Sequence, residues 1–427
     1  MDLRIRSTSR LAAASLLLAG AGCSLLTDSF LTNDFSGDQY PIDIDVSSGA
    51  VMMGLRQNGV EDRGAVLDLL SPVTLVDPGP GVAPSVSIHD VFLLGAHGPG
   101  GPIEQPRAKL TSAELIALHP CETEDCVVGS TATPLSYQAI VGADVLAGDD
   151  VRLRLGDSRV FVLPDIGGDA HHRTYTCDAV FPSPYRGGGR LIIAGTELTF
   201  GGRRVAIQAC LGADPDPMKP QSQRGADALL VMSTGVGVTI LGETAYARYR
   251  VAHPTAPALS ALPPATVNLP SGPITGNLTI LDTLALVASS SSTPRAACRQ
   301  VYGHHLMLQR DCELGDDCPC EGSGVFCSQP AIVELRAPTG LEVLVVSDAN
   351  PTLQALRTEL RPDQAEVDGI LGTNALRSAE LDIDYPHDRM LARCSGDGCV
   401  TRPELQGSGD RTQIQGCLGP NAIGPIF

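Results

Sequence analysis

The chain has 427 residues, 43% of them hydrophobic, which is enough for two domains of ordinary size with real cores. A formal net charge of −18, with no basic patch and no basic–aromatic alternation, excludes nucleic acid and anionic lipid surfaces as partners. Trp is absent and only 4% of residues are aromatic, so Val, Leu, Ile and Ala must fill the cores. With 46 Gly and 32 Pro as punctuation, that pattern predicts many short strands and an all-β fold.

Residues 1–22 carry Arg4, Arg6 and Arg10 ahead of an apolar run from Leu11 to Gly22 that is short for a membrane span and built like a secretory signal. Gly20-Ala21-Gly22-Cys23 resembles a bacterial lipoprotein cleavage box, although Gly20 stands where that box normally has Leu. The expectation is therefore an exported chain in a bacterial cell envelope, outer-membrane or periplasm-facing, lipidated at Cys23 and touching the membrane through that lipid only. Ordinary cleavage nearby is the alternative. Removing residues 1–22, with three Arg and one Asp, takes the formal charge to about −20. Residues 23–42 read as a polar tether.

A first lobe is expected over 43–164. It opens with the alternating Ile42-Asp43-Ile44-Asp45-Val46, a strand at Val51–Leu55, a turn at Asn58-Gly59 and a strand running into Asp68. Residues 165–189, rich in Gly, His and Pro, read as an interlobe connection. A second lobe follows over 190–395, with strands at 191–194, 197–200 and 205–210 and a turn at Gly201-Gly202. The piece from His253 to Pro273 reads as a surface connection, the Cys-rich segment of about 298–327 as an insert, and 396–427 as a tail.

The segment Val367-Asp368-Gly369-Ile370-Leu371-Gly372-Thr373-Asn374-Ala375-Leu376, followed by Leu381-Asp382-Ile383-Asp384-Tyr385-Pro386 and Arg389-Met390-Leu391, predicts a strand, a short helix and a returning strand. Ala139-Ile140-Val141-Gly142-Ala143-Asp144-Val145-Leu146, with strands at 151–155 and 160–163, repeats it. This unit resembles the closing motif of aspartic-protease lobes, in which it faces a loop bearing Asp-Thr-Gly. Two altered loops precede the two units. Ala65–Val76 keeps Asp68 but has Leu69 and Leu70 for Thr-Gly, and Leu229–Leu241 keeps Thr234 and Gly235 but has Ser233 for the Asp.

The resemblance implies a bilobal, pepsin-like all-β fold with pseudo-twofold lobes and a broken catalytic pair at Asp68 and Ser233. Ser71, Thr234 and Gly235 are the loop residues beside them. Proteolysis of this type needs two carboxylates sharing one proton, and a serine hydroxyl does not ionise near neutral pH. Leu where the backbone needs a positive φ would cost about 1–3 kcal/mol, so the first loop is expected to relax into another shape. Asp68 then reads either as a turn carboxylate or as a residual catalytic acid, and Ser233 with Thr234 either as a hydroxyl brace or as a nucleophile without a fixed base. The tip of a flap would fall at Gly95–Pro102.

Three functions follow: an inactive envelope lipoprotein whose cleft takes an extended peptide or an envelope protein by strand addition; a peptidase pairing Asp68 with Asp144 or Asp227; or a structural surface lipoprotein with a filled cleft. Setting Cys23 aside leaves an even 12 of the 13 Cys, and Cys121–Cys126, Cys394–Cys399 and Cys177–Cys210 are the disulfide candidates. Cys312, Cys318, Cys320 and Cys327 beside Asp311, Asp316 and Asp317 could ligate a metal, but in an exported chain they read as disulfides. No cofactor is implied. Gly156-Asp157-Ser158 reads as a hairpin turn, Asp382 and Asp384 as a solvating strand face, and His171-His172 and His304-His305 as loop residues.

Overall fold

The computed structural model describes residues 42–403 except 59–60, 97–107, 122–124, 131–133, 165–178, 183, 194–195, 214–219, 221–222, 288–296, 299–330, 336–339, 361–365 and 396–397. The signal, Cys23, the tether, the flap tip beyond Ala96, Cys177, His171-His172, His304-His305 and the insert after Cys298 therefore lie outside the described residues.

In the first lobe Met52–Gln57 and Glu61–Leu67 form a hairpin whose bend begins at Asn58, a residue type that tolerates its φ of 48°. Glu61–Leu67 pairs in parallel with Ala139–Val141, which pairs antiparallel with Leu75–Val76. Leu75–Val76 runs parallel to Ala108–Ala117, and a long hairpin with Ser85–Leu94 closes the six strands into a barrel.

The second lobe repeats this wiring. Ala226–Met232 pairs in parallel with Gly369–Leu371, which pairs antiparallel with Thr239–Gly242, which in turn runs parallel to Leu341–Val346. Closing strands of three apolar residues, buried on both faces, are what Ala139-Ile140-Val141 and Gly369-Ile370-Leu371 encode. Each ends in a glycine that a side chain could not replace. A Cβ on Gly142 would sit 2.3 Å from Val73 O, and one on Gly372 would sit 2.4 Å from Val238 O.

A third sheet joins the lobes. Its order is Ile42–Asp43, Arg159–Pro164, Asp149–Arg154, Ala379–Asp384, Arg389–Cys394 and Ala179–Pro182. The central antiparallel pair takes one strand from each half and sets Arg152 opposite Asp382. The Arg152 guanidinium donates to both Asp382 oxygens at 2.6 and 3.0 Å, and Arg154 Nε donates to Glu380 at 2.9 Å. Gly156-Asp157-Ser158 turns the adjoining hairpin, with Ser158 at φ 54°.

Several expectations change. The stretch 165–189 contains two strands, Ala179–Pro182 in the shared sheet and Tyr185–Arg186 against Arg204–Val205. The Pro-rich piece from His253 contains the strand Pro264–Leu269, whose first residue is the Pro that a strand tolerates there. The tail contributes Cys399–Pro403 as an edge strand on Ala331–Leu335. Asp382 and Asp384 are buried, at 5% and 0% exposure, where Arg152 on the adjacent strand and His387 and Arg389 in the adjoining turn and strand hold them. Cys210 bonds Cys298 rather than Cys177: it lies on the inner strand 204–211 opposite Asp227, whose carboxylate holds the Cys298 N–H at 2.7 Å. Cys121–Cys126 and Cys394–Cys399 form as expected.

Candidate functional site: the paired loops between the lobes

Both altered loops sit at the C-terminal end of a strand and return beneath a closing glycine, so the same backbone contacts recur in each. Asp68 N donates to Val141 O at 3.0 Å and Ser233 N to Leu371 O at 2.9 Å. Six residues after each lies a buried threonine, Thr74 and Thr239, whose hydroxyl accepts from the closing glycine, Gly142 at 3.0 Å and Gly372 at 3.3 Å. Each hydroxyl then donates to the second residue of the short helix, Thr74 to Asp144 at 2.6 Å and Thr239 to Asn374 at 3.0 Å. Ala143 N reaches Ser71 O as Thr373 N reaches Val236 O, both at 2.9 Å. These matched bonds define a local pseudo-dyad, and the two loops face each other across it.

At the axis Ser233 Oγ donates to Asp68 Oδ1 at 2.8 Å. The same oxygen accepts from Leu70 N at 3.0 Å and Gly235 N at 3.3 Å, while Ser233 Oγ also accepts from Gly235 N at 3.1 Å. Asp68 is 4% exposed and Ser233 1%. Burial pushes the Asp68 carboxyl above the ordinary 3.8, opposed by these donors and by the buried Arg204 guanidinium. Arg204 also donates to Leu70 O at 2.6 Å and pairs with Glu359.

Thr234 clamps the lobes from one side. Its hydroxyl donates to Leu67 O at 2.6 Å and accepts from Leu69 N at 3.1 Å, and its carbonyl accepts from Val51 N at 2.8 Å. Leu69, in the equivalent place of the first loop, has no hydroxyl to return the bond and is fully buried in the core. In the first loop Ser71 N closes a turn on Asp68 O at 3.0 Å, and neither Leu70 nor its counterpart Gly235 has a positive φ, so Leu70 meets none of the backbone strain expected of it. Ser71 Oγ turns away and donates to Val73 O at 2.7 Å.

The remaining acids are committed elsewhere. Asp144 accepts from the Thr74 amide and hydroxyl and from Val145 N, and burial raises its carboxyl. Asp227 precedes Ser233 by six residues along an extended strand, roughly 20 Å at ~3.3 Å per residue. Neither forms a proton-sharing pair with Asp68.

Two residues that sequence reasoning missed cover the pair. Tyr137 is 3% exposed, its OH donates to Pro270 O at 2.7 Å, and burial followed by the Asp68 charge raises its phenol. A Cβ on Gly235 would meet Pro270 Cγ at 2.7 Å and Asp68 Oδ2 at 2.8 Å, so Pro270 and the carboxylate both border the same glycine. Pro270 tips the hairpin of Pro264–Leu269 and Gly272–Leu281, and that hairpin pairs with Val127–Ser130 of the first lobe at Val267↔Ser130 and Asn268↔Gly129. No local signal marks such a contact, since the partners are 133 residues apart.

No known family model matches the sequence, and comparison with curated proteins finds no match. Among solved structures, an aspartic proteinase from Irpex lacteus is 12% identical, covering 83% of this chain and 97% of its own at a TM-score of 0.37. The Basic 7S globulin from soybean is 11% identical over 84% and 94%, with a TM-score of 0.38. The matched loops, threonines and closing glycines themselves describe a bilobal, all-β, pepsin-like architecture.

Proposed function

We propose that this protein is an exported envelope lipoprotein, anchored through Cys23, whose pepsin-like body does not hydrolyse peptides and serves as a structural surface protein. The observation that carries this is the hydroxyl–carboxylate bond between Ser233 and Asp68. An aspartic pair works because two carboxylates forced together hold one proton between them, leaving one as base and one as acid. Here a hydroxyl that stays protonated near neutral pH faces a single carboxylate, and Asp68 accepts three hydrogen bonds as a structural acid would.

The Pro270 tip and the Tyr137 hydrogen bond favour a filled cleft over a peptide-binding one. The strand edge next to the loops is used internally by Val127–Ser130 and Pro264–Leu269, so a guest strand would first have to displace it. In the test, purified mature protein is incubated with a casein-type substrate from pH 3 to 6, with and without pepstatin. The expected result is no cleavage and no pepstatin binding by calorimetry. Pepstatin-sensitive cleavage overturns the proposal. Labelled palmitate incorporation that is lost in Cys23→Ser checks the anchor separately.

A further inference from the structure

We propose that Cys121–Cys126 is a reactive, reversible disulfide that exchanges with dithiols, with His119 as its proton donor and Asp77 as the positioning residue. This inference does not rest on the inert-cleft reading. The geometry comes from the barrel: Leu75–Val76 and Ala108–Ala117 run parallel, with Val76 opposite Ala117, so Asp77 and His119 leave the paired strands side by side. His119 Nδ1 lies 3.3 Å from Asp77 Oδ2, and Nε2 lies 3.4 Å from Cys121 Sγ and 3.6 Å from Cys126 Sγ. Asp77 is itself held, its Oδ1 by Gly79 N at 2.9 Å, its amide by Gln138 O at 2.8 Å and its carbonyl by Arg63.

One imidazole nitrogen thus faces a carboxylate and the other faces the disulfide, which places Nε2 where it can hand a proton to a departing sulfur. An imidazolium beside a sulfur stabilises the thiolate, and a stabilised thiolate leaves faster. Access is graded. His119 is 39% exposed, Cys121 is half-buried and Cys126 is buried at 5%.

The exchange is balanced as follows. A thiolate of an external dithiol attacks Cys121 Sγ, the Cys121–Cys126 bond breaks, and Cys126 leaves with the electron pair and takes the Nε2 proton of His119. The reductant's second thiol then attacks its own sulfur in the mixed disulfide and releases Cys121. The dithiol loses two electrons and two protons to become a disulfide, and the protein gains both as two thiols, His119 being reprotonated from solvent. The site lies at the foot of the interlobe strap, since Cys126 O accepts from Tyr137 N and Val127 begins the bridging strand.

The chain carries its own control. Cys394–Cys399 has the same separation of 5, with one half-buried sulfur and one at 5% exposure, and no imidazole contact is recorded for it among the described residues. Native mature protein is treated with limiting dithiothreitol between pH 6 and 9, quenched in acid, alkylated and mapped by mass spectrometry. Cys121–Cys126 is expected to open about tenfold faster than Cys394–Cys399. His119→Gln should erase most of that advantage, while Cys394–Cys399 is unchanged. Asp77→Asn should fall between. Equal rates for the two disulfides in the native protein overturn the proposal without any variant, and so does a His119→Gln protein that opens Cys121–Cys126 at the native rate.

Discussion

Thr234→Val is the sharpest test of how the lobes are held. Valine matches threonine in shape, so the change removes one hydroxyl and little else. That hydroxyl donates to Leu67 O and accepts from Leu69 N, and Thr234, Leu67 and Leu69 are at most 1% exposed, so water cannot take its place. Each buried polar group left without its bond costs about 1–3 kcal/mol, giving about 2–6 kcal/mol for the pair. Leu69 offers no reciprocal hydroxyl, so the bonds that Asp68 accepts from Ser233 Oγ and Gly235 N are left to tie the first loop to the second. Thr234→Ser keeps both bonds and gives up one buried methyl, about 1 kcal/mol. Urea unfolding followed by far-UV circular dichroism measures both variants against the native body at one pH. A valine variant within about 0.5 kcal/mol of native, or a serine variant as costly as valine, would show that the hydroxyl clamp is not what joins the loops.

Two further outcomes are expected. Burial raises the folded Asp68 carboxyl above its ordinary value of 3.8, so the folded state holds a proton that the unfolded chain has released, and the Asp68 contribution to stability falls as pH rises through that window. Asp68→Asn, which keeps an acceptor for Leu70 N and Gly235 N, should match native protein near pH 3 and exceed it near pH 7 in urea midpoint; a native advantage at pH 7 would reverse the assignment. Arg152→Met leaves Asp382 and Glu380 buried with one cation fewer and should cost about 3–5 kcal/mol, whereas Arg152→Met with Asp382→Leu should recover most of it by the same unfolding assay.

The parts of this fold legible in the sequence were those written in consecutive residues. Two apolar residues and a glycine mark each closing turn because only glycine clears the carbonyls of Val73 and Val238. The loss of threonine and glycine at Leu69-Leu70 predicted a relaxed first loop, yet Gly235 in the matching place has no positive φ for Leu70 to violate, and both loops keep the same bonds to their closing strands. The covering of the pair was not legible. Tyr137 and Pro270 are 133 residues apart in the chain, and the prolines around Pro264 disguise a strand as a connection. Nor does alternation say which strand face will find buried partners, so Asp382 and Asp384 read as solvated although each is buried beside an arginine, Arg152 and Arg389. Cys210 went to Cys298 because register, not proximity in sequence, decides which thiols meet.

The shared sheet has a consequence for anyone who would divide this molecule. Asp149–Arg154 gives one edge to its own hairpin and the other to Ala379–Asp384 from the far half of the chain. Excising either half would bare a full row of amides and carbonyls with Arg152 or Asp382 stranded among them. Such a fragment is a poor candidate for independent expression, and the most natural complement it could find is the missing piece supplied as a separate polypeptide.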